Sequence, residues 1–124
     1  MSRTFTNIQI DGNNAFVLFD TGSIRSYVRK EFASQVRQRT TPFIVGLGGG
    51  TFEINESCLL NCAIEGLPFD IKAHPVKKIG TDEKGRRIDA IIGAVAMEEW
   101  GFILDPRTGS IDLTLLRKRE FIEF

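Results

Sequence analysis

Phe16-Val17-Leu18-Phe19-Asp20-Thr21-Gly22-Ser23 is the stretch around which this chain is organised. An apolar run ends abruptly in a carboxylate, two hydroxyl residues and a glycine, the pattern of a buried strand stopped by a turn. The carboxyl group of Asp20 therefore belongs at the edge of a core, where neighbouring donors rather than bulk water solvate it. Thr21 and Ser23 can supply such donors, and Gly22 lets backbone approach the carboxylate closely. Taken alone, the stretch is also compatible with an ordinary turn in which Asp20 caps its own backbone.

Working outward, Phe5-Thr6-Asn7-Ile8-Gln9-Ile10 alternates and Asp11-Gly12-Asn13-Asn14 is a turn cluster, so residues 4–19 predict a hairpin whose second arm delivers Asp20. Downstream, Ser26 is placed to cap a helix over Tyr27 to Val36, with Tyr27, Val28, Phe32 and Val36 as its apolar stripe. The basic cluster Arg25, Arg29, Lys30, Arg37 and Arg39 then reads as the solvated face of that helix. Residues 42–57 predict a second hairpin with a tip of Gly46-Leu47-Gly48-Gly49-Gly50. Four glycines in five positions cost backbone entropy, so the pattern points to a mobile lid over a ligand. A phosphate cradle would need a Lys-Ser/Thr ending and a following helix, and neither is there. Ser57 to Ile64 and Phe69 to Ala73 form a third hairpin about Glu65-Gly66. Residues 76–87 are a polar loop, Ile88 to Ile92 is a second buried strand ending at Gly93, and Ala94 to Trp100 is a short helix stopped by Gly101, with Ala94, Val95 and Met97 facing the core. Residues 102–113 turn back at Asp105-Pro106-Arg107-Thr108-Gly109-Ser110. The sum is a single all-β domain, residues 1–124, with one or two short helices.

Bulk properties exclude several classes. Sixteen basic residues balance sixteen acidic ones, which gives no general attraction to nucleic acid or to an anionic membrane. No apolar stretch approaches 20 residues and no apolar leader follows Met1, so the expectation is a cytoplasmic protein with no membrane partner. Cys58 and Cys62 would lie about 13 Å apart on one extended strand, too far for a mutual disulfide, and read as buried thiols. With His74 the sole histidine, a metal centre lacks ligands, and Ser-His or Cys-His chemistry would have to recruit a residue that reads as a strand end.

Three features thus occur in one order: a strand ending in Asp20-Thr21-Gly22-Ser23, a glycine-tipped hairpin, and Ala90-Ile91-Ile92-Gly93 before a short helix. In this order the chain resembles the retropepsin-like aspartic proteases over residues 5–114. The resemblance implies the small, closed-barrel-like retropepsin fold with a flap hairpin. It implies an aspartic endopeptidase that needs no cofactor and acts on peptide or protein substrates. Asp20 would be the catalytic carboxylate, Thr21 would hydrogen-bond across a dimer axis, Gly22 would bind substrate backbone and Ser23 would donate to Asp20. Gly46, Leu47, Gly48, Gly49 and Gly50 would close over the peptide, while Ile91, Ile92 and Gly93 would support the loop from below. Viral members carry an ion pair between the positions held here by Ile24 and Ala94, so apolar packing replaces it.

Such hydrolysis needs two carboxylates about one water, and the chain has a single suitable Asp-Thr-Gly. The second must come from another copy, which makes a homodimer a requirement of the chemistry. Asp89, in the strand leading to Gly93, is the only internal rival, and it lacks the surrounding Thr-Gly. Leu115, Leu116, Phe121, Ile122 and Phe124 would serve the dimer interface, as strands of an intermolecular sheet spanning residues 115–124. The alternative is a non-cleaving protein- or peptide-binding scaffold of the same fold.

Overall fold

The structure is a computed structural model that describes residues 2–124. It is predominantly β. Strands β1 (Arg3–Ile10) and β2 (Asn13–Asp20) form the first hairpin, in register from Arg3 opposite Asp20 to Ile10 opposite Asn13. Its turn is the pair Asp11-Gly12, both at positive φ (49° and 80°), the geometry that matches the twist of two-residue hairpins. Next come β3 (Tyr27–Arg29), β4 (Gln38–Leu47), β5 (Gly50–Ile64) and β6 (Leu67–Val76). The chain ends with β7 (Ala90–Ile92), helix α1 (Ala94–Trp100), the small hairpin β8 (Ile103–Asp105) and β9 (Ser110–Asp112), and helix α2 (Thr114–Lys118).

The main sheet runs β1-β2-β7-β3-β6-β5-β4, and Gln9 and Ile10 of β1 also pair with Ala63 and Cys62 of β5. Six strands thereby close on themselves in a ring, and β4 stands outside it on the N-terminal half of β5. β5 is long because it serves both structures. Residues 50–57 pair with β4 in the projecting hairpin, and residues 58–64 pair with β6 in the ring.

Alternation along β2 and β7 divides the interior in two. Ala15, Val17, Phe19, Ala90 and Ile92 face the larger core, with Leu60, Met97, Phe102 and Leu116. Phe16, Leu18 and Ile91 face the opposite way, into a second cluster with Tyr27, Ile54, Ile79 and Ile88. The inner face of the projecting hairpin, through Phe43, Val45, Leu47 and Phe52, rests on that second cluster. Cys58 and Cys62 are free and buried on β5, as the strand spacing predicts. Burial pushes the Cys62 thiol up to about 12.

Four sequence expectations are corrected. Residues 27–36 are not a helix: Tyr27–Arg29 is a strand, parallel to β6 and antiparallel to β7, followed by one 3-10 turn at Lys30–Phe32. The helical spacing of Tyr27, Val28, Phe32 and Val36 lost to strand pairing that buries Tyr27 and Val28 completely, while Val36 is left in water. The apolar pair Ile91-Ile92 does not act as a unit, since the two side chains point into different clusters. In α1, Ala96 and Met97 are buried and Val95 is exposed. Finally, residues 114–118 form a helix rather than an intersubunit strand. Leu116 is fully buried in its own chain, and Leu115 packs so closely on Gly101 that a Cβ there would meet it at 2.5 Å.

Candidate active site

Asp20 is the last residue of β2, held at the rim of the second cluster with 15% of its side chain exposed. Its Oδ1 accepts the Gly22 amide at 2.8 Å, and its backbone carbonyl accepts the Ser23 amide at 3.1 Å. The carboxylate thus organises the turn that carries it, as short side-chain-to-backbone bonds of aspartate do. On the other side, Arg3 directly opposite in β1 brings its Nε to 3.6 Å from Asp20 Oδ2.

The loop after Asp20 is clamped rather than free. Ala94 and Val95 donate their amides to the carbonyls of Ser23 and Ile24 at 2.6 and 3.2 Å, so the start of α1 is bonded to the loop. Gly93 donates its amide to Ser26 Oγ at 3.0 Å. A Cβ on Gly93 would lie 2.2 Å from the Arg25 carbonyl oxygen and 2.6 Å from that of Ser23. That close approach requires glycine. Ser26 is therefore a structural pin for the site, buried and bonded to Gly93, and its apparent role as a helix cap concealed it.

The remaining hydroxyls of the loop have partners within the chain. Ser23 Oγ donates to the carbonyl of Arg25 at 2.8 Å and makes no bond to Asp20. Thr21 is engaged by the N-terminal strand: its Oγ1 accepts the Ser2 amide at 2.7 Å and donates to the Ser2 carbonyl at 3.2 Å, which also accepts the Thr21 amide at 3.0 Å.

Asp89 is fully used by the fold. Its Oδ2 accepts the Phe16 amide at 2.8 Å, and its Oδ1 accepts Arg29 Nε and Nη2 at 3.0 and 2.7 Å. It locks β7 to β2 and to the end of β3, and it is no rival to Asp20. His74 is likewise structural, with Nδ1 2.9 Å from the carbonyl oxygen of Glu56 and its ring between Tyr27 and Phe43. Burial holds its pKa below the ordinary value.

Asp20, Gly22 and Ser23 open onto a cleft of about 380 Å³ whose opposite wall is the hairpin tip at Gly46, Leu47 and Gly48. Ile91 contributes to its floor beside Leu18, its partner in register. Thr21, Gly49, Gly50, Ile92 and Gly93 lie outside the lining, the last two behind it. Gly48 and Gly49 form the tip at φ 55° and 82°. Gly48 rests on the 77–89 loop so tightly that a Cβ would be 2.0 Å from the Ile79 carbonyl oxygen. Arg25, which the sequence submerged in a basic cluster, borders the cleft as well. Among the described residues no group of His, Cys, Asp or Glu is placed to hold a metal, and no helix is long and apolar enough to cross a membrane. Comparison of the chain with models of known protein families and with curated proteins finds no match.

Proposed function

We propose that the chain is half of an aspartic endopeptidase of retropepsin-like fold, active as a homodimer in which Asp20 of each copy flanks one water. The observation that carries this reading is the cleft itself. A single carboxylate on a clamped Asp-Thr-Gly-Ser loop faces a glycine-tipped hairpin across a cleft of about 380 Å³. Two carboxylates about 3 Å apart cannot both ionise comfortably and share one proton. The ionised member takes a proton from water as the oxygen attacks the scissile carbonyl. The protonated member donates to the carbonyl oxygen, and return of a proton to the nitrogen releases the amine. Gly22 and the hairpin tip would hold the substrate backbone in the orientation this transfer needs.

Purified protein assayed against a peptide library at mildly acid pH should cleave, and Asp20→Asn should reduce turnover by at least about a thousandfold, the scale on which a proton-transfer group acts. Far-UV circular dichroism and sedimentation of the variant should match wild type. Near-wild-type cleavage by Asp20→Asn would reject the assignment.

One observation favours the second reading, a peptide-binding module that does not cut. Arg3 stands beside Asp20, and Ser2 occupies the Thr21 hydroxyl. A carboxylate kept in an ion pair is a poor base. If that contact persists in the assembled protein, peptides should bind without being cleaved, and Arg3→Ala should restore cleavage.

A further inference from the structure

We propose that Arg25 makes this cleft select peptides with a carboxylate side chain close to the bond that is cut. The inference rests on the reading of the cleft as a peptide site and names a substrate class for it.

The charges bordering the cleft are one carboxylate, Asp20, and two guanidinium groups, Arg3 and Arg25. Arg3 is spent on Asp20, at 3.6 Å. Arg25 has no carboxylate partner among the described residues. Glu99 shares with it a small hollow of about 170 Å³ on the far side of the loop, yet stays outside ion-pair reach. The guanidinium carbon instead lies 4.4 Å above the ring of Phe43, at the base of the projecting hairpin. An arginine held over an aromatic face keeps its fork in one place without using its N–H donors on that face. Burial raises the phenol of Tyr27, while the charge of Arg25 and a hydrogen bond from its fork pull that partly back, so one edge of the fork rests on Tyr27 and the remaining N–H groups are left for a ligand.

The backbone beneath this side chain is equally fixed. The Arg25 carbonyl accepts Ser23 Oγ at 2.8 Å, and the next carbonyl, of Ser26, accepts the His74 amide at 2.9 Å. Arg25 is thus a preorganised cation anchored to both the aspartate loop and the hairpin. Around it the cleft is mixed, with Leu18, Val45, Leu47 and Ile91 on its apolar side and the Asp20 loop on its polar side. A planar fork of N–H donors in such surroundings matches a carboxylate, which can take two parallel bonds from it. Lysine and arginine side chains would meet repulsion in the same place. Closure of the hairpin over a substrate would strengthen both effects by excluding water.

The test uses fluorogenic peptides in matched pairs, glutamate against glutamine, at each position flanking the cut, assayed above the ordinary glutamate pKa of about 4.3. At one or two positions glutamate should raise kcat/KM about 5- to 10-fold, an advantage that shrinks as salt is raised. Arg25→Gln should bring that ratio close to one, Arg25→Lys should keep part of it, and Arg25→Glu should turn the preference toward lysine. Retention by Arg25→Lys also guards against misfolding as the cause. The same pairs are titrated onto the Asp20→Asn variant by fluorescence anisotropy. Cleavage with no glutamate preference, or a preference that survives Arg25→Gln, overturns the proposal and leaves the peptidase reading intact. Glutamate-selective, Arg25-dependent binding without cleavage by wild type supports the proposal and defeats the peptidase reading. Neither binding nor cleavage of any peptide overturns both.

Discussion

Asp20 and Asp89 are both aspartates at the edge of the β2–β7 ladder, and their surroundings give them opposite work. Every strong donor near Asp89 is fixed upon it, so its carboxylate is a girder between three strands. Asp20 spends one oxygen on its own turn and leaves the other toward the cleft and Arg3. The difference was not legible in sequence, because Phe16 and Arg29 reach Asp89 across 73 and 60 residues. Ser26 and Arg25 were obscured for the same reason: their partners Gly93 and Phe43 are remote in the chain. At this scale His74 sets a pH dependence. Burial lowers its pKa below 6.5, with Lys72 and Arg25 nearby acting in the same direction and the Glu56 carbonyl opposing them. As pH falls the unfolded chain binds a proton at this position before the folded chain does. The stabilisation of neutral His74 is therefore complete above about pH 6.5 and is lost progressively below it, down to the folded-state pKa. Urea midpoints should fall between pH 7.5 and pH 5. His74→Asn, which can still donate to Glu56, should flatten that slope relative to wild type. An unchanged slope would show that other groups control acid stability.

At the scale of elements, the hairpins were legible and the segment between them was not. Asp11-Gly12, Gly48-Gly49 and Glu65-Gly66 each announce a two-residue turn, and all six residues have positive φ. Residues 27–36 carry apolar side chains at helical spacing, and nothing local reveals that β6 and β7 compete for Tyr27 and Val28. The three turns also explain the glycines of the projecting hairpin more sharply than mobility does. Asp11 and Glu65 hold side chains at nearly the φ of Gly48, so backbone conformation alone does not demand glycine there. Contact does, because Gly48 lies against Ile79 and Gly80 while Gly49 faces open space. Alanine at either position is strained by its positive φ, so stabilisation of the free protein is not expected. Gly49→Ala should cost about 1 kcal/mol and leave the tip seated. Gly48→Ala should lift the tip from the 77–89 loop, with faster hydrogen exchange in residues 44–53 and turnover reduced more than by Gly49→Ala. Equal exchange and activity in the two variants would show that the seat on Ile79 has no part in closure.

The whole molecule closes its sheet through β1 and β5 and keeps a continuous core from Ile8 to Leu116. Apolar side chains stay exposed on the face around the aspartate loop. Ile24 is 65% exposed and Val95 58%, and the two are adjacent, joined by the bond from the Val95 amide to the Ile24 carbonyl. Further along, Phe121 meets Trp100 edge to face but remains partly exposed, and Ile122 and Phe124 stand in water. Under the proposed homodimer these are the side chains by which a second copy would gain most on docking, since each one buried contributes about 1.5–3 kcal/mol before the costs of association. Removing residues 115–124 would not test this cleanly, because it would strip Leu116 from the core. The sharper variants are Ile24→Asp and a truncation after Arg119. We expect Ile24→Asp to weaken dimerisation at least tenfold by sedimentation equilibrium, and to lower specific activity at low protein concentration, with recovery as concentration rises. The truncation should weaken dimerisation in the same direction and leave thermal unfolding of the monomer nearly unchanged, because the residues it removes contribute nothing to the buried core. A wild-type monomer that cleaves peptides at a rate independent of its concentration would defeat both this interface and the shared-aspartate mechanism, because Asp20 is the one carboxylate that borders the cleft.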